Sequence, residues 1–296
     1  MKDDRGSGRR RPRTSVLCRL PSVVSLLIAL LAIMTAPVRS EGMKYPDWES
    51  QWRRTTAGGT GGNSWDPTKS IGLGQRAPLT PEYQTIFDAS LKAQKTGVQG
   101  NTPGSNCILP GMPKVMNFSE PMEIIIRPAV TYFVPLRYPA RRIYTDGRSW
   151  PADEPPTLGG YSIGRWIDED GDGTYDVLEV ETRNFKGPRV FESSGLPLAA
   201  DNQTTIKERI YLDKDDKNKL HDEITAIDHA LTRPWTIDRI VVREPVPYWV
   251  ENSCHEANLH VRIGKEEYFL SADNKLMPVS AGQPAPDLSY FQSPQK

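Results

Sequence analysis

From residue 116 onward, apolar and polar side chains alternate along the chain with a period of two, the pattern of half-buried β-strands. Turn signals such as Asp146-Gly147 and Asp273-Asn274 separate the apolar segments. Regular short strands joined by turns predict a mainly β fold, an antiparallel barrel-like or sandwich meander. About nine strands are predicted, at 122–127, 131–136, 142–144, 161–167, 175–182, 205–212, 220–227, 236–244 and 260–270.

One helix is predicted before the strands, over residues 81–96. Thr80 can cap it, Pro81 suits the first helical position, and Phe87 and Leu91 fall on one face. Four regions follow from these patterns, namely a signal peptide at 1–40, an extended N-terminal segment at 41–105 that contains the helix, a β domain at 106–277, and a Pro-rich tail at 278–296.

The N-terminal segment begins with aromatic residues. Trp48 and Trp52 are predicted to pack on the core, because tryptophan side chains rarely stay in water without reason.

The first forty residues are organised like a secretory signal peptide. Arginines precede the apolar stretch 23–34, and small residues allow cleavage after Ser40. An uncleaved anchor is the alternative, but the apolar stretch is short for a membrane span of about twenty residues. We expect a secreted or periplasmic protein with no transmembrane anchor after cleavage. The export route, general secretory or twin-arginine, stays open.

Cleavage would leave two cysteines, Cys107 and Cys254. In an oxidising compartment two thiols far apart in sequence are most simply a disulfide. Two buried free thiols are an alternative, and a redox or metal role for Cys254-His255-Glu256 is another. No CxxC motif supports the last alternative.

Charge gives no indication of a polyanionic partner. Lysine plus arginine and aspartate plus glutamate both number 37, so the formal net charge is zero. Neither nucleic acid nor an anionic membrane is expected as a partner.

The most specific motif is the acidic stretch 168–179, DEDGDGTYDVLE, whose spacing matches the calcium loop of an EF-hand. Alternating carboxylates supply oxygen ligands, Gly173 permits the sharp turn, and the last acid closes the shell. The candidate calcium ligands are Asp168, Asp170, Asp172, Thr174, Asp176 and Glu179.

The segments on both sides of this loop have strand patterns, whereas an EF-hand requires helices. Tyr175 also stands at a position that is normally aliphatic. The motif therefore predicts a calcium-bracing loop at the tip of a hairpin. The alternative is a solvated acidic turn, since Asp and Gly favour turns without metal.

Weaker candidates for catalysis lie further along the chain, at His221, Glu223, Asp228 and His229. They could form an acid–base pair or a small metal site. The alternative is a solvated face with surface hydrogen bonds and ion pairs.

Several segments together resemble a widespread family of uncharacterised secreted bacterial proteins. They are RIYTDGRSWP at 142–151, SIGRW at 162–166, LEVET at 178–182, Cys107 with GMP at 111–113, and LTRPWT at 231–236. The resemblance covers most of the chain after the signal peptide. It implies export and a mostly β fold, and it brings no established activity.

Three hypotheses of function follow. The first is a secreted or periplasmic β-barrel-like module that binds a small apolar or extracellular ligand, with calcium bracing one hairpin. The second is a periplasmic enzyme, hydrolase-like or isomerase-like, with its site in the barrel mouth. The third is a structural or envelope-interaction protein that uses its aromatic N-terminal segment as a contact.

Overall fold

Nine strands close into a β-barrel in the computed structural model of the chain. The structure describes residues 43–54, 60–61, 77–95, 100–101, 108–117, 121–250, 259–264 and 266–289. Its strands, in chain order, are β1 (Gln51–Arg54), β2 (Thr60–Gly61), β3 (Met122–Arg127), β4 (Val130–Pro135), β5 (Arg141–Tyr144), β6 (Tyr161–Ile167), β7 (Val177–Arg183), β8 (Arg189–Val190), β9 (Pro197–Leu198), β10 (Thr205–Leu212), β11 (Lys219–Ile227), β12 (Trp235–Arg243), β13 (His260–Ile263), β14 (Glu266–Leu270) and β15 (Leu276–Pro278).

Around the barrel the strands run in the order β1, β3, β4, β5, β6, β7, β10, β11 and β12. β12 pairs back onto β1, with Trp52 opposite Arg243, and this pairing closes the barrel. The prediction of a mainly β, barrel-like fold of about nine strands is confirmed. One neighbouring pair, β5 and β6, is parallel. The connection 145–160 is long enough to carry the chain back to the end of the sheet from which β5 started.

The ninth barrel strand is not the one that the alternation predicts. Residues 260–270 form two strands joined at Gly264, and these belong to a separate sheet of β13, β14 and β15. β1 takes the remaining place in the barrel. Its four residues show no alternation, since Gln51 and Trp52 are both buried. β2 pairs with β12, and β8 pairs with β9.

In the described part of the chain the α-helix is α1 (Pro81–Gln94), which packs beside these strands, and a 3-10 helix covers Lys114–Asn117. The Thr80 hydroxyl caps α1 by accepting from the backbone NH of Tyr83 at 3.4 Å, as the sequence predicts. Phe87 lies in the core. Among the described residues, no helix has the length and apolar character needed to cross a membrane.

Two tryptophans of the N-terminal segment belong to the core. Trp48 and Trp52 are fully buried, which confirms their predicted packing. The Trp52 indole NH donates to the Trp48 carbonyl at 2.9 Å. The inward positions of the barrel strands are mostly apolar as well, for example Ile124, Phe133 and Ile224. Polar side chains occupy several other inward positions, and these form the candidate site.

Candidate functional site

A chain of buried polar side chains lines part of the barrel interior. Seven consecutive strands, from β4 to β12 around the barrel, each contribute one residue, and each residue is at most 8% exposed. We call this set the interior polar belt, and its members are Thr131, Arg141, Ser162, Thr182, Glu208, Asp222 and Arg239. Small barrels are usually filled by apolar side chains at such positions, so the belt requires an explanation beyond packing.

Arg141 connects four members of the interior polar belt. Its Nη1 donates to Glu208 Oε1 at 2.8 Å, and its Nη2 donates to the hydroxyls of Ser162 and Thr182 at 3.3 and 3.0 Å. The Ser162 and Thr182 hydroxyls are also hydrogen-bonded to each other at 2.8 Å. The arginine side chain is held in one position by these bonds.

Asp222 and Arg239 are the last two members of the interior polar belt, and several of their hydrogen-bonding atoms lack partners among the described residues. They lie directly opposite each other on β11 and β12. Neither carboxylate oxygen of Asp222, and neither Nε nor Nη1 of Arg239, has a hydrogen-bond partner among the described residues. Burial raises the pKa of Asp222 well above its usual range, and the negative charge of Glu208 raises it further. Burial lowers the pKa of Arg239 to about 10, so the guanidinium stays charged at neutral pH.

A cavity of about 400 Å³ reaches two members of the belt from the outside. Arg141 and Ser162 contribute to its lining, where β5 lies next to β6. The remaining walls are mainly apolar and aromatic, from Met112, Val115, Tyr144, Leu158 and Tyr161. A ligand pocket typically combines such walls with a few polar groups.

One wall of the cavity depends on Gly111. The backbone there has φ +66°, and a Cβ at this position would lie 2.3 Å from the Leu158 carbonyl oxygen. The next residue, Met112, donates its backbone NH to that same carbonyl at 3.0 Å. Gly111 therefore lets the segments 108–112 and 157–160 approach closely enough to form the wall.

Charged side chains lie at the exposed part of the cavity. Arg142 and Lys186 bring two positive charges and Glu154 brings one negative charge. The imbalance favours a ligand with an anionic group at this end.

The acidic loop lies between β6 and β7, at the tip of their hairpin, as the sequence predicts. Carboxylate oxygens of Asp168, Asp170 and Asp176 lie within 4.8 Å of one another. Asp172 is not part of this cluster, and it accepts from the backbone NH of Thr174 at 2.7 Å. Each of the three clustered aspartates also accepts from a backbone NH of the loop. Glu179 lies on β7 and pairs with Arg165 of β6 at 2.7 Å. The structure thus brings three of the six predicted calcium ligands together.

The N-terminal segment braces this loop. The Lys44 backbone NH donates to the Gly173 carbonyl, and the Tyr175 backbone NH donates to the Lys44 carbonyl, both at 2.9 Å. The Tyr175 ring packs against Tyr45 and Trp166, at centroid distances of 5.3 and 6.0 Å. The aromatic residue that departs from the EF-hand pattern therefore attaches the loop to the barrel.

His221 is on the outer face of β11, opposite to the inward Asp222. Its Nδ1 is 2.8 Å from Asp238 Oδ2, its Nε2 is 3.0 Å from Asp213 Oδ2, and its ring stacks on Tyr211. Burial alone would lower the pKa of His221, but the hydrogen bonds to Asp213 and Asp238 outweigh it and raise the pKa. Both ring nitrogens face carboxylate oxygens, so the protonated ring can donate a hydrogen bond to each carboxylate.

Of the other catalytic candidates, Glu223 lies near His221 on the outer face, and Asp228 and His229 lie elsewhere. Glu223 accepts from the Tyr211 hydroxyl at 2.8 Å on the outer face, and His229 is an exposed partner of Asp201. Asp228 is buried and accepts from the Thr204 hydroxyl at 2.6 Å and from two backbone NH groups. Glu223 and His221 share the Tyr211 side chain, because the Tyr211 hydroxyl donates to Glu223 and the Tyr211 ring stacks on His221. Asp228 and His229 lie apart from these two residues, and none of the four belongs to the cavity lining.

Two further predictions concern residues outside the part of the chain that the structure describes. These are the disulfide between Cys107 and Cys254 and the signal peptide at 1–40. Both stay predictions.

No protein-family model, no curated protein and no solved structure matches the chain. The resemblance to a family of secreted bacterial proteins therefore stays a prediction.

Sequence reasoning missed the interior polar belt, although the signal is present. Glu208 stands between the inward residues Ile206 and Ile210, at a position where the alternation of the strand predicts an apolar residue. Asp222 stands in the same way between Leu220 and Ile224. A charged residue at an inward position of an otherwise regular strand marks a buried charge that needs a partner.

Proposed function

We propose that the chain is an exported binding protein that holds a small amphipathic anion in the cavity beside β5 and β6. The observation that carries the proposal is the cavity of about 400 Å³, whose mainly apolar walls end on Arg141 and Ser162. This volume falls within the usual range for small-molecule sites, about 300–1,000 Å³.

The chemistry of the lining defines the ligand class. An apolar or aromatic body would pack against Met112, Leu158 and Tyr161. An anionic group would lie near Arg142 and Lys186, which together exceed the single negative charge of Glu154. The Ser162 hydroxyl offers a fixed polar contact, because Arg141 and Thr182 hold it in place.

The two other hypotheses have less support. An enzyme site in the barrel mouth would need His221, Glu223, Asp228 and His229 near the cavity, and they lie elsewhere. A contact surface made by the aromatic N-terminal segment would need exposed tryptophans, whereas Trp48 and Trp52 are fully buried.

We also propose that calcium binds the acidic loop as a structural brace. Asp168, Asp170 and Asp176 supply the clustered carboxylates, and hard cations prefer oxygen ligands. The calcium would stabilise the β6–β7 hairpin and have no part in the ligand cavity.

The binding proposal can be tested with 8-anilinonaphthalene-1-sulfonate, a fluorescent probe with an aromatic body and one negative charge. Gly159 lines the cavity, and a Cβ added there meets nothing within 4 Å. Gly159→Phe would fill the cavity entrance, while Gly159→Ala changes the backbone in the same way without filling it. We expect about tenfold weaker probe binding for Gly159→Phe and wild-type binding for Gly159→Ala. Equal binding by all three proteins would refute the proposal.

The charge of the ligand is tested separately. Arg142→Gln with Lys186→Gln should weaken binding of the anionic probe by roughly two- to fivefold per charge. The same variant should bind neutral N-phenyl-1-naphthylamine as the wild type does. Native mass spectrometry of protein purified from the exported fraction would then identify a ligand that stays bound.

A further inference from the structure

A groove of about 680 Å³ lies on the outside of the barrel. Its floor is the outer face of four neighbouring strands, β6, β7, β10 and β11. The connection between β5 and β6 forms a wall through Gly147, Arg148 and Trp150. We call this the outer groove. Of the described residues, none lines both the outer groove and the ligand cavity.

The floor of the outer groove carries two rows of side chains. Each strand contributes one residue to each row, and the residues of a row are direct neighbours in the register of the sheet. The first row is Arg165, Glu179, Arg209 and Glu223, and the second is Ile163, Glu181, Lys207 and Thr225. Adjacent strands lie about 4.8 Å apart, so each row presents one side chain every 4.8 Å or so over roughly 14 Å.

The charges of the outer groove are balanced by pairing within the protein. In the described part of the chain every lining cation has a carboxylate partner, namely Arg148 with Asp146, Arg165 with Glu179, Arg209 with Glu169, and both Arg183 and Lys207 with Glu181. Glu223 adds the fifth carboxylate to these five cations. A ligand with a net charge would have to compete with these ion pairs, whereas a neutral ligand would not.

The ion pairs leave hydrogen-bonding atoms for such a ligand. Arg165 donates from Nε and Nη2 to Glu179 Oε2, and among these contacts Glu179 Oε1 is left as an acceptor. Glu223 accepts from the Tyr211 hydroxyl at 2.8 Å through Oε1, which leaves Oε2 in the same way. Because partners already hold these side chains, a ligand would bind them without the entropy cost of ordering a free side chain.

Trp150 adds an aromatic surface to the wall of the outer groove. Its side chain is 36% exposed, and the Arg183 guanidinium lies 4.7 Å from the ring centroid. An exposed indole combines a large apolar face with a polar NH. Such a face packs well against the C–H groups of a sugar ring.

We propose that the outer groove binds a neutral, extended oligosaccharide. Sugar hydroxyls form charge-assisted hydrogen bonds with carboxylates and guanidinium groups and bring no charge of their own. One pyranose unit of an extended chain is about as long as the spacing between strands, about 4.8 Å, so three or four units would cross the floor. Trp150 would pack against one ring of the chain.

Isothermal titration calorimetry with cello-, xylo- and N-acetylated chito-oligosaccharides of two to five units tests the proposal. All three series are neutral, β-1,4-linked chains, and EDTA in the buffer keeps calcium from the acidic loop. We expect at least one series to bind, with an affinity that rises about tenfold or more from two units to four and then levels off.

Salt distinguishes this mode of binding from recognition of a charged polymer. The affinity should change less than about twofold between about 50 mM and about 500 mM sodium chloride, because the ligand has no charge to be screened. Absence of binding by all three series would overturn the proposal. So would a preference for acidic oligogalacturonate that weakens with salt.

Variants locate the site. Trp150→Ala should weaken oligosaccharide binding about tenfold, and Glu223→Ala should weaken it about fivefold. Trp249→Ala is the matched control, because that side chain is 51% exposed and is not part of the groove lining. Unchanged binding by Trp150→Ala, or an equal loss in Trp249→Ala, would contradict the site. Gly159→Phe should keep oligosaccharide binding, so failure of the ligand cavity and failure of the outer groove are distinguished.

Discussion

Arg141 of β5 and Glu208 of β10 form a two-bond ion pair inside the barrel, although two strands, β6 and β7, lie between β5 and β10 in the sheet. The arginine side chain passes over Ser162 and Thr182 and bonds to both hydroxyls on the way. One side chain thus connects four neighbouring strands from the inside.

Removing one partner of this pair should be strongly destabilising. Glu208→Gln leaves the Arg141 guanidinium buried without its counter-charge, and we expect a loss of about 3–5 kcal/mol in the free energy of unfolding, measured with urea. Arg141→Met with Glu208→Leu should cost less than the sum of the single changes. The matched control is Arg127→Gln, which breaks an exposed ion pair with Glu49 and should change stability by less than about 1 kcal/mol. Additive losses in the double variant would contradict the pairing.

The stability contribution of His221 should depend on pH. Its pKa in the folded protein is raised above the ordinary 6.5, so the contribution is complete below pH 6.5 and is lost as pH rises through the folded pKa. Its hydrogen bond lowers the pKa of Asp213 from 3.8 to about 2, so that contribution is lost as pH falls from 3.8 towards 2. The difference between wild type and His221→Gln should therefore be largest between pH 4 and 6.5.

Urea midpoints at pH 5, 7 and 9 measure this dependence. His229→Gln is the control, because its ring is exposed and has one carboxylate partner, Asp201. A difference between wild type and His221→Gln that stays constant from pH 5 to pH 9 would show that the ring is not a cation in the folded protein.

Calcium should raise the thermal midpoint of the protein relative to EDTA. At a hundredfold excess over its dissociation constant, an ion that binds only the folded state adds about 2.7 kcal/mol. Asp168→Asn with Asp170→Asn should remove the effect, because both carboxylates belong to the cluster. Asp153→Asn, an exposed acid outside the loop, should leave it unchanged.

Glu179→Gln tests whether Glu179 is a calcium ligand or whether only the three clustered aspartates bind the ion. If calcium recruits Glu179 away from Arg165, as the EF-hand spacing predicts, the variant loses most of the calcium response. An unchanged response would restrict the ligands to the three clustered aspartates. The same midpoint in EDTA and in millimolar calcium would rule out a calcium brace.

Gly111→Ala should damage both stability and binding. A residue with a Cβ at φ +66° costs about 1–2 kcal/mol, and the Cβ would also collide with the Leu158 carbonyl. Urea unfolding and probe fluorescence should both report the loss. Gly159→Ala is the matched control, with open space around its Cβ, and should be neutral or slightly stabilising.

Thiol titration of denatured, unreduced protein tests the disulfide between Cys107 and Cys254. No free thiol is expected in the exported protein. Two free thiols would favour the alternative of unpaired cysteines.

Alternation in the sequence was sufficient to predict eight barrel strands, because one face of each is buried and the other is not. It could not predict β1, whose adjacent Gln51 and Trp52 are both buried. Gln51 is buried because its side chain is hydrogen-bonded to the backbone of Tyr248, a contact between distant parts of the chain. Nor could alternation show that β13 and β14 lie outside the barrel, since a strand in a small separate sheet has a similar pattern.

The candidate site was less predictable than the fold. The acidic loop is a local motif, so its position at a hairpin tip could be predicted. The interior polar belt is assembled from seven strands, and only the register between them places Arg141 near Glu208. Single inward polar residues such as Asp222 could have been noticed. Their common location could not, because it depends on barrel closure.

The pairing of Trp52 with Arg243 has a consequence for the order of folding. The first and last strands of the barrel are separated by most of the described chain, so closure depends on contacts that are distant in sequence. Such contacts slow folding, because a long segment has to be ordered before they can form. When the chain emerges with its N-terminus first, the edge of β1 that pairs with β12 stays exposed until β12 has emerged as well. The protein should therefore acquire its native barrel only after almost all of the chain up to β12 is available for folding.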